Sequence, residues 1–327
     1  MWALLVLLFI FILSLSIGRY RVPFGETVRI LLGNLFPVDK TWSDKMQAAV
    51  MTLRFPRSLT AIIVGAGLAL SGASYQSIFK NPMCSPDLLG VSSGACIGAA
   101  VGILLNGNSV MIQLLAFATG IAAVALTTSI PRLIHNQSTT ILILSGVVVS
   151  SLLSSVMSAI KYIADTDTQL AEITYWTMGS FATVTMKQLI PVAIPILLCM
   201  IMMLMMRYRL NVLSLGDQEA RSLGIDIQKT RGLFVLFSTL ITSCCVCISG
   251  TVGWVGLIIP HTARMVIGAD NKRMLPVCMV FGAIFMLLID MACRTLTAAE
   301  LRLGILTGLI GAPFFIFILV KQHRSLT

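Results

Sequence analysis

The stretch Arg207–Gly232, RYRLNVLSLGDQEARSLGIDIQKTRG, is a long polar interruption in an apolar chain. The 327 residues are 57% hydrophobic, and their mean hydropathy is +0.94. A charged side chain at the centre of a bilayer costs about 2.5–3.5 kcal/mol. We therefore expect this stretch, the polar island, to stand in water on one side of a membrane, where a partner can touch it.

The composition indicates a membrane protein built of helices. Only 11% of the residues are charged, whereas soluble domains carry about 25%. The apolar runs are continuous and about 18–25 residues long, which suits membrane-spanning helices, whereas the strands of a membrane barrel would alternate. The predicted fold class is all-α: one polytopic transmembrane domain over residues 1–327, with 207–232 as a cytoplasmic loop within it.

Ten spans are predicted. The first is interpreted as a membrane span rather than a signal peptide, because no basic segment or cleavage site accompanies it. The eighth is interrupted by three glycines and a proline, which mark bends or close backbone approach in membrane helices. The spans lie near 2–17, 58–79, 88–105, 110–131, 139–163, 189–206, 233–250, 252–267, 274–294 and 303–320.

An even number of spans places both termini on one side of the membrane. If the polar island is cytoplasmic, the loops near 80–87, 132–138 and 264–273 and the tail 321–327 share its side. Lysine and arginine divide almost evenly between the two sides, so the positive-inside rule does not orient the chain.

The charge and the cysteines have ordinary interpretations in this setting. The net charge of +10 indicates membrane lipid rather than nucleic acid as a partner, because basic residues that flank spans favour anionic headgroups. Nearly all of the eight cysteines fall in apolar runs. We interpret them as small buried hydrophobes, and no metal site is predicted.

Two features inside the predicted spans each allow two interpretations. Asp290 and Arg294 are four residues apart on one helical face, so they form either a structural pair or a functional intramembrane site. The small residues at 65–67 and 71–73 either let helices approach closely or leave room for a solute. In the loop between the second and third predicted spans, Ser85 or Asp87 is expected to cap the helix of the third span.

Arginines on the side opposite the polar island require a partner. Arg54 and Arg57 bracket Pro56 at the mouth of the second span, and Arg294 lies on the same side. They either anchor in headgroups by snorkelling or form a basic rim that docks a soluble acidic protein.

Nothing in the chain predicts an enzyme. No GxxxxGK[ST] is present, so the chain has no P-loop and cannot supply the energy of ATP itself. No HExxH occurs, and the three histidines are isolated in sequence.

Five blocks of residues resemble the permease subunits of ABC importers for iron complexes and cobalamin, the FecCD-type transmembrane subunits. Each block is weak alone, but the set is specific and covers the chain from about residue 50 to 320. One departure is Arg302, which follows Leu301 where the family commonly has proline. The blocks are 54–57; 81–82 with 88–95; 213–216 with 220–224; 253–261 with Arg264; and 299–300 with 311–314.

The resemblance implies a set of partners and a location. A second copy would form the central pathway, two cytosolic ATPase subunits would hold ATP and Mg²⁺, and a periplasmic or lipid-anchored binding protein would deliver substrate. The permease itself would bind no cofactor. Its place would be the bacterial cytoplasmic (inner) membrane, as a multi-pass protein.

The resemblance also assigns roles to residues of this chain. Coupling to the ATPase would rest on Leu213, Leu215, Gly216, Glu219, Ala220, Arg221 and Gly224. Docking of the binding protein would fall to Arg54, Arg57 and Arg294. The pathway and inner gate would comprise Asn81, Met83, Ser138, Thr139, Thr140, Ser145, Gly146, Val149 and Ser150.

The expected function is import of an iron complex, either a siderophore or haem. Cobalamin is the alternative cargo for the same machinery. A different class, the ion-coupled secondary transporter, would use Asp290 as its proton site.

Overall fold

The computed structural model describes residues 2–34, 36–37, 39–135 and 138–324, and the described residues form helices joined by turns and short irregular segments. The first half contains α1 (Trp2–Ser16), α2 (Phe24–Gly33), α3 (Asp44–Gln47), α4 (Phe55–Ile78), α5 (Val91–Leu104), α6 (Ser109–Leu133) and α7 (Thr139–Ile163). The second half contains α8 (Gln169–Thr177), α9 (Met186–Met205), α10 (Arg207–Leu215), α11 (Asp217–Ser222), α12 (Ile227–Ser249), α13 (Val255–Ile267), α14 (Asn271–Thr295) and α15 (Leu303–Arg324).

The helices confirm the predicted class of polytopic membrane protein. In the described part of the chain, six helical segments are long and apolar enough to cross a bilayer, and four shorter apolar helices (α1, α5, α13 and α15) accompany them. These ten helices overlap the ten predicted spans. The longest segment, Asp44–Ile78, begins well before the predicted start near residue 58, because a π-helical turn at Ala48–Arg54 joins α3 to α4.

Helix α4 lies at the centre of the packing. It contacts α9, α12, α13 and α14, and most of its apolar segment is buried. Glycines bring the backbones together: a Cβ on Gly65 would lie 2.2 Å from the Gly282 carbonyl oxygen, and one on Gly72 would lie 1.9 Å from that of Gly256. The small residues of α4 therefore serve packing, which is one of the two interpretations that the sequence left open.

The break predicted in the eighth span lies before that span, between α12 and α13, and has a tertiary cause, while α13 continues through Gly256 and Pro260. Helix α12 ends before Gly250, whose φ is +67°, and α13 begins only at Val255. A Cβ on Gly250 would lie 2.3 Å from the Trp176 carbonyl oxygen. The Ser180 amide donates to the Ser249 carbonyl over 2.8 Å, so the loop after α8 fills the gap.

The expected cap of α5 is wrong. Neither Ser85 nor Asp87 caps it; instead Pro86–Leu89 forms a 3₁₀ turn, and Gly90 with φ of +81° leads into the helix. The Asp87 carboxylate accepts a hydrogen bond from the Ser92 hydroxyl. The eight cysteines are all buried and unpaired, in agreement with their interpretation as small hydrophobes.

Polar contacts between helix ends gather at two ends of the bundle. At the end that carries the polar island, the Arg264 guanidinium donates to the Gln76 side chain. At the opposite end, the Gln188 amide donates to the Ser109 hydroxyl over 2.9 Å. Each pair joins segments that the predicted topology places on the same side of the membrane.

We predict that Gly65→Ala weakens the α4–α14 pair, because the added methyl would meet the Gly282 carbonyl oxygen. Overpacking of this kind costs about 1–3 kcal/mol. Thermal unfolding in detergent, monitored as the fraction of protein that stays monodisperse, measures the loss of stability. Gly308→Ala on α15 is the matched control, since its Cβ would meet nothing within 4 Å; equal stability of the two variants would contradict the prediction.

Candidate coupling surface and pathway

The polar island folds into two short helices separated by a glycine. Helix α10 ends at Leu215, Gly216 adopts φ of +151°, and α11 follows. The Gly224 amide donates to the Arg221 carbonyl, and its φ of +74° turns the chain away from α11. Because side chains other than glycine rarely adopt such φ values, these two glycines fix the direction of α11.

The seven residues expected to couple to an ATPase divide into two groups. Leu213 and Ala220 are buried, so they attach the island to the bundle. Leu215, Glu219 and Arg221 are exposed and present a charged and apolar surface to solvent. Gly216 and Gly224 shape the turns, as described above.

An asparagine network that sequence reasoning missed connects the island to two spans. Asn211 on α10 donates to the Asp270 carboxylate over 2.6 Å and accepts from the Asn271 amide over 2.8 Å. Asn271 in turn accepts from the Ser77 hydroxyl on α4 over 2.9 Å. Hydrogen bonds from Asn211 and from the Lys272 amide hold the pKa of Asp270 below its usual value. The island is therefore tied directly to the starting turn of α14 and the last turn of α4.

The predicted gate residues lie at the island end of the bundle. The Asn81 side chain accepts from the Met83 amide over 2.9 Å, and Met83 is exposed. Ser138 caps α7 by accepting from the Ile141 amide over 3.3 Å, and Thr140 is exposed. The side chain of Thr139 lies outside the described part of the structure. The gating role of these residues stays a prediction.

The expected pathway face of α7 packs inside the subunit instead. Ser145, Gly146 and Val149 are buried, and a Cβ on Gly146 would lie 1.8 Å from the Leu88 carbonyl oxygen. The neighbouring Ser150 hydroxyl would lie 3.3 Å from a Cβ on Gly90. This face is occupied by the 3₁₀ turn 86–89, so within this subunit it does not present an open wall to a solute.

The opposite face of α7 is open and carries a serine stripe that the sequence reasoning overlooked. Its exposed side chains include Val147, Val148 and Leu152. The signal was available, because serines recur there with the i, i+3, i+4, i+7 spacing of one helical face. The members of this serine stripe, all exposed, are Ser151, Ser154, Ser155 and Ser158.

At the opposite end of the bundle, a buried carboxylate is held between two arginines. Asp290 is 0% exposed, and its Oδ1 accepts from Arg57 Nε over 2.7 Å. Arg294 Nε lies 3.2 Å from Asp290 Oδ2, as an ion pair without hydrogen-bond alignment. Arg57 also donates to Glu300 over 3.0 Å, and Arg294 donates to the Ser14 carbonyl over 3.0 Å. The predicted pairing of Asp290 with Arg294 is present, and it joins α1, α4 and α14.

The expected basic rim is wrong for this structure. Arg54, Arg57 and Arg294 are only 7%, 7% and 5% exposed. Arg54 donates to the Leu15 and Ser16 carbonyls, each over 2.8 Å. Each of the three guanidinium groups thus donates to at least one internal acceptor, and none forms a surface for an acidic partner. Basic residues that reach the surface at this end include Arg19, Arg21 and Arg302, the last lying 4.8 Å above the Tyr175 ring.

Comparisons with known proteins identify the family. The profile of the FecCD transport family matches residues 6–321. This chain belongs to the FecCD transport family. The molybdate import system permease protein MolB of Haemophilus influenzae is 39% identical over 321 residues, covering 98% of this chain and 95% of that protein. The hemin transport system permease protein HmuU of Yersinia pestis is 35% identical over 292 residues, covering 86% of each.

A solved structure has the same fold. It is described as an inward-facing conformation of a metal-chelate type ABC transporter, and it matches with a TM-score of 0.88 at 38% identity, covering 98% of this chain and 97% of that one. As a FecCD chain, the protein is the membrane permease subunit of an ABC importer, and the ATPase is a separate subunit. The family resemblance is confirmed, but the relatives' names differ in cargo, so membership alone does not determine the substrate.

We predict that Asp290→Asn strongly destabilises this FecCD permease, because it leaves Arg57 and Arg294 buried with too little negative charge. Removing one partner of a buried ion pair costs about 3–5 kcal/mol. Heating purified protein in detergent and recording the folded fraction measures the effect. Glu26→Gln is the control, because its pair with Arg29 is on the surface and such pairs contribute about 0.2–1 kcal/mol. Similar losses in both variants would rule out a special role for the buried cluster.

Proposed function

We propose that two copies of this permease form the membrane pathway of an ATP-driven importer in the bacterial cytoplasmic membrane. Two cytosolic ATPase subunits would bind ATP and Mg²⁺, and a periplasmic or lipid-anchored binding protein would deliver the cargo. The permease would bind no cofactor of its own. The observation that supports the proposal best is the polar island, which exposes a charged surface while being anchored by buried residues.

In this proposal, the exposed side chains Leu215, Glu219 and Arg221 contact the ATPase. Closure of the ATPase pair would then displace α10 and α11 together, since buried Leu213 and Ala220 fix them to the bundle. The asparagine network would carry the displacement to the start of α14 and to the end of α4.

The serine stripe of α7 is the proposed wall of the pathway. Helix α7 buries little of its apolar segment inside the subunit, so its open face is available to a second copy across a central space. Between residues 144 and 158 the sequence contains no charged residue. Hydroxyl and aliphatic groups would let a bulky cargo pass without holding it tightly.

For the cargo, we propose a metal-containing solute, with an iron complex (siderophore or haem) as the first candidate. The hemin permease relative supports this choice. Molybdate is the second candidate, because the molybdate permease relative matches nearly the whole chain. Cobalamin stays an alternative for the same machinery, on the sequence resemblance.

An ion-coupled secondary transporter is not favoured. Its proton site would be Asp290, but that carboxylate is buried between Arg57 and Arg294 and faces no open path to water. A relay group must exchange its proton with solvent or with a neighbouring acid or base, and this arrangement suits a structural cluster.

Glu219→Arg should abolish transport without preventing membrane insertion, because it reverses the charge in the middle of the proposed ATPase contact. Uptake by membrane vesicles and co-purification of the ATPase both report the effect. Lys80→Glu is the matched control, a charge reversal in an exposed residue of the turn after α4 at the same end. Normal uptake and normal ATPase binding by Glu219→Arg would contradict the coupling role.

The cargo can be tested with the complete importer reconstituted in liposomes. We expect ATP-dependent accumulation of a ferric siderophore or haem when the matching binding protein is present, and no accumulation with an ATPase that cannot hydrolyse ATP. Radiolabelled molybdate and cobalamin are run in parallel. Accumulation of molybdate without accumulation of an iron complex would contradict the first candidate and identify molybdate as the cargo.

A further inference from the structure

A groove lies between α6, α7 and α12 and the last turn of α4, at the island end of the bundle. Its volume is about 380 Å³, and it is open to the side. It is separate from the serine stripe, which lies further along α7, and from the proposed coupling residues Leu215, Glu219 and Arg221, while Arg231 and Gly232 at the end of the polar island line it. Apolar side chains that line it include Phe79, Val124, Leu142 and Leu236.

The two threonines in the groove do not make it polar. The Thr128 hydroxyl donates to the Val124 carbonyl over 2.8 Å, and the Thr239 hydroxyl donates to the Val235 carbonyl over 2.7 Å. Each hydroxyl is thus satisfied by its own helix. The interior of the groove therefore offers an apolar surface suited to a hydrocarbon chain.

The mouth of the groove is basic. Arg132 in the last turn of α6 and Arg231 in the second turn of α12 both line it, and none of the described residues that line it is acidic. Guanidinium groups bind phosphate with paired hydrogen bonds. Basic pockets between membrane helices at the cytoplasmic surface attract anionic lipid headgroups.

Gly232 lies on the wall of the groove. A Cβ at this position would meet nothing within 4 Å, so close helix packing does not require the glycine. Glycine inside a helix costs stability relative to other residues. Its presence on the groove wall therefore leaves space for an occupant.

We propose that this groove holds an anionic phospholipid, with the phosphate at Arg132 and Arg231 and one acyl chain along Phe79 and Leu236. The groove opens between membrane-spanning helices, where phospholipid is the surrounding solvent, and its charge complements a phosphate. A second copy of the chain fits less well, because it would bring a like-charged mouth against this one. The lipid would connect the first turns of α12, where the polar island ends, to α6 and α7.

The proposal is tested on full-length protein purified in a mild detergent, with bound phospholipids identified by native mass spectrometry. The wild type should retain phosphatidylglycerol or cardiolipin. Gly232→Leu should lose it although every charge is kept, because the leucine side chain occupies the groove. Arg132→Gln should lower retention about fivefold, as expected for one basic contact at an anionic surface. Arg209→Gln, an exposed charge on α10 outside the groove, should retain lipid like the wild type.

Two further measurements keep the result interpretable. Size-exclusion elution and thermal unfolding verify that the Gly232→Leu and Arg132→Gln variants are folded. Titrated phosphatidylglycerol should raise the unfolding temperature of delipidated wild type more than phosphatidylcholine does, and should not do so for Gly232→Leu. Wild-type lipid retention by folded Gly232→Leu would overturn the proposal. So would a change of oligomeric state in that variant with lipid unchanged, since a second copy would then occupy the groove.

Discussion

The close approach of α4 to α14 is the contact on which the two polar ends of the molecule depend. Lipid provides no hydrophobic force to press helices together, so association rests on tight packing of small residues. Gly65 and Gly282 allow that packing. A Cβ added to either glycine would lie only 2.2 Å from the carbonyl oxygen of the other. Toward one end the same two helices carry Arg57 and Asp290, whose ion pair spans 2.7 Å. Toward the other they carry Ser77 and Asn271, joined over 2.9 Å.

This arrangement relates the buried charges to the polar island. Asp290 lies on α14 two helical turns beyond Gly282, and Asn271 begins the same helix. In the proposed mechanism, a displacement of α10 would act on Asn271 through Asn211, and α14 would carry it toward the charge cluster. The cluster resists rotation of α14 against α4, because moving Asp290 away from Arg57 would leave buried charges unpaired. The α4–α14 pair is therefore suited to move as one unit.

The sequence predicted the parts of this structure that depend on local composition. Continuous apolar runs predicted the spans. The errors arose where distant segments decide. Hydropathy assigns an arginine near a span end to the surface, yet Arg54 and Arg57 find internal acceptors on α1 and α14. The buried face of α7 depends on contact of Gly146 with Leu88, 58 residues earlier in the chain, which no local pattern reveals.

The open face of α7 bears on how relatives with different named cargoes can share one fold. A wall of serine hydroxyls and aliphatic groups makes weak, similar contacts with any large solute, so it discriminates poorly. Strong discrimination requires buried polar groups that only the correct ligand satisfies, and between residues 144 and 158 this face has neither charges nor histidines. If it lines the pathway, selection must occur before the cargo enters, in the partner that delivers it. Relatives named for molybdate and hemin at 39% and 35% identity are then compatible with a pathway that changes little while its delivery partner changes.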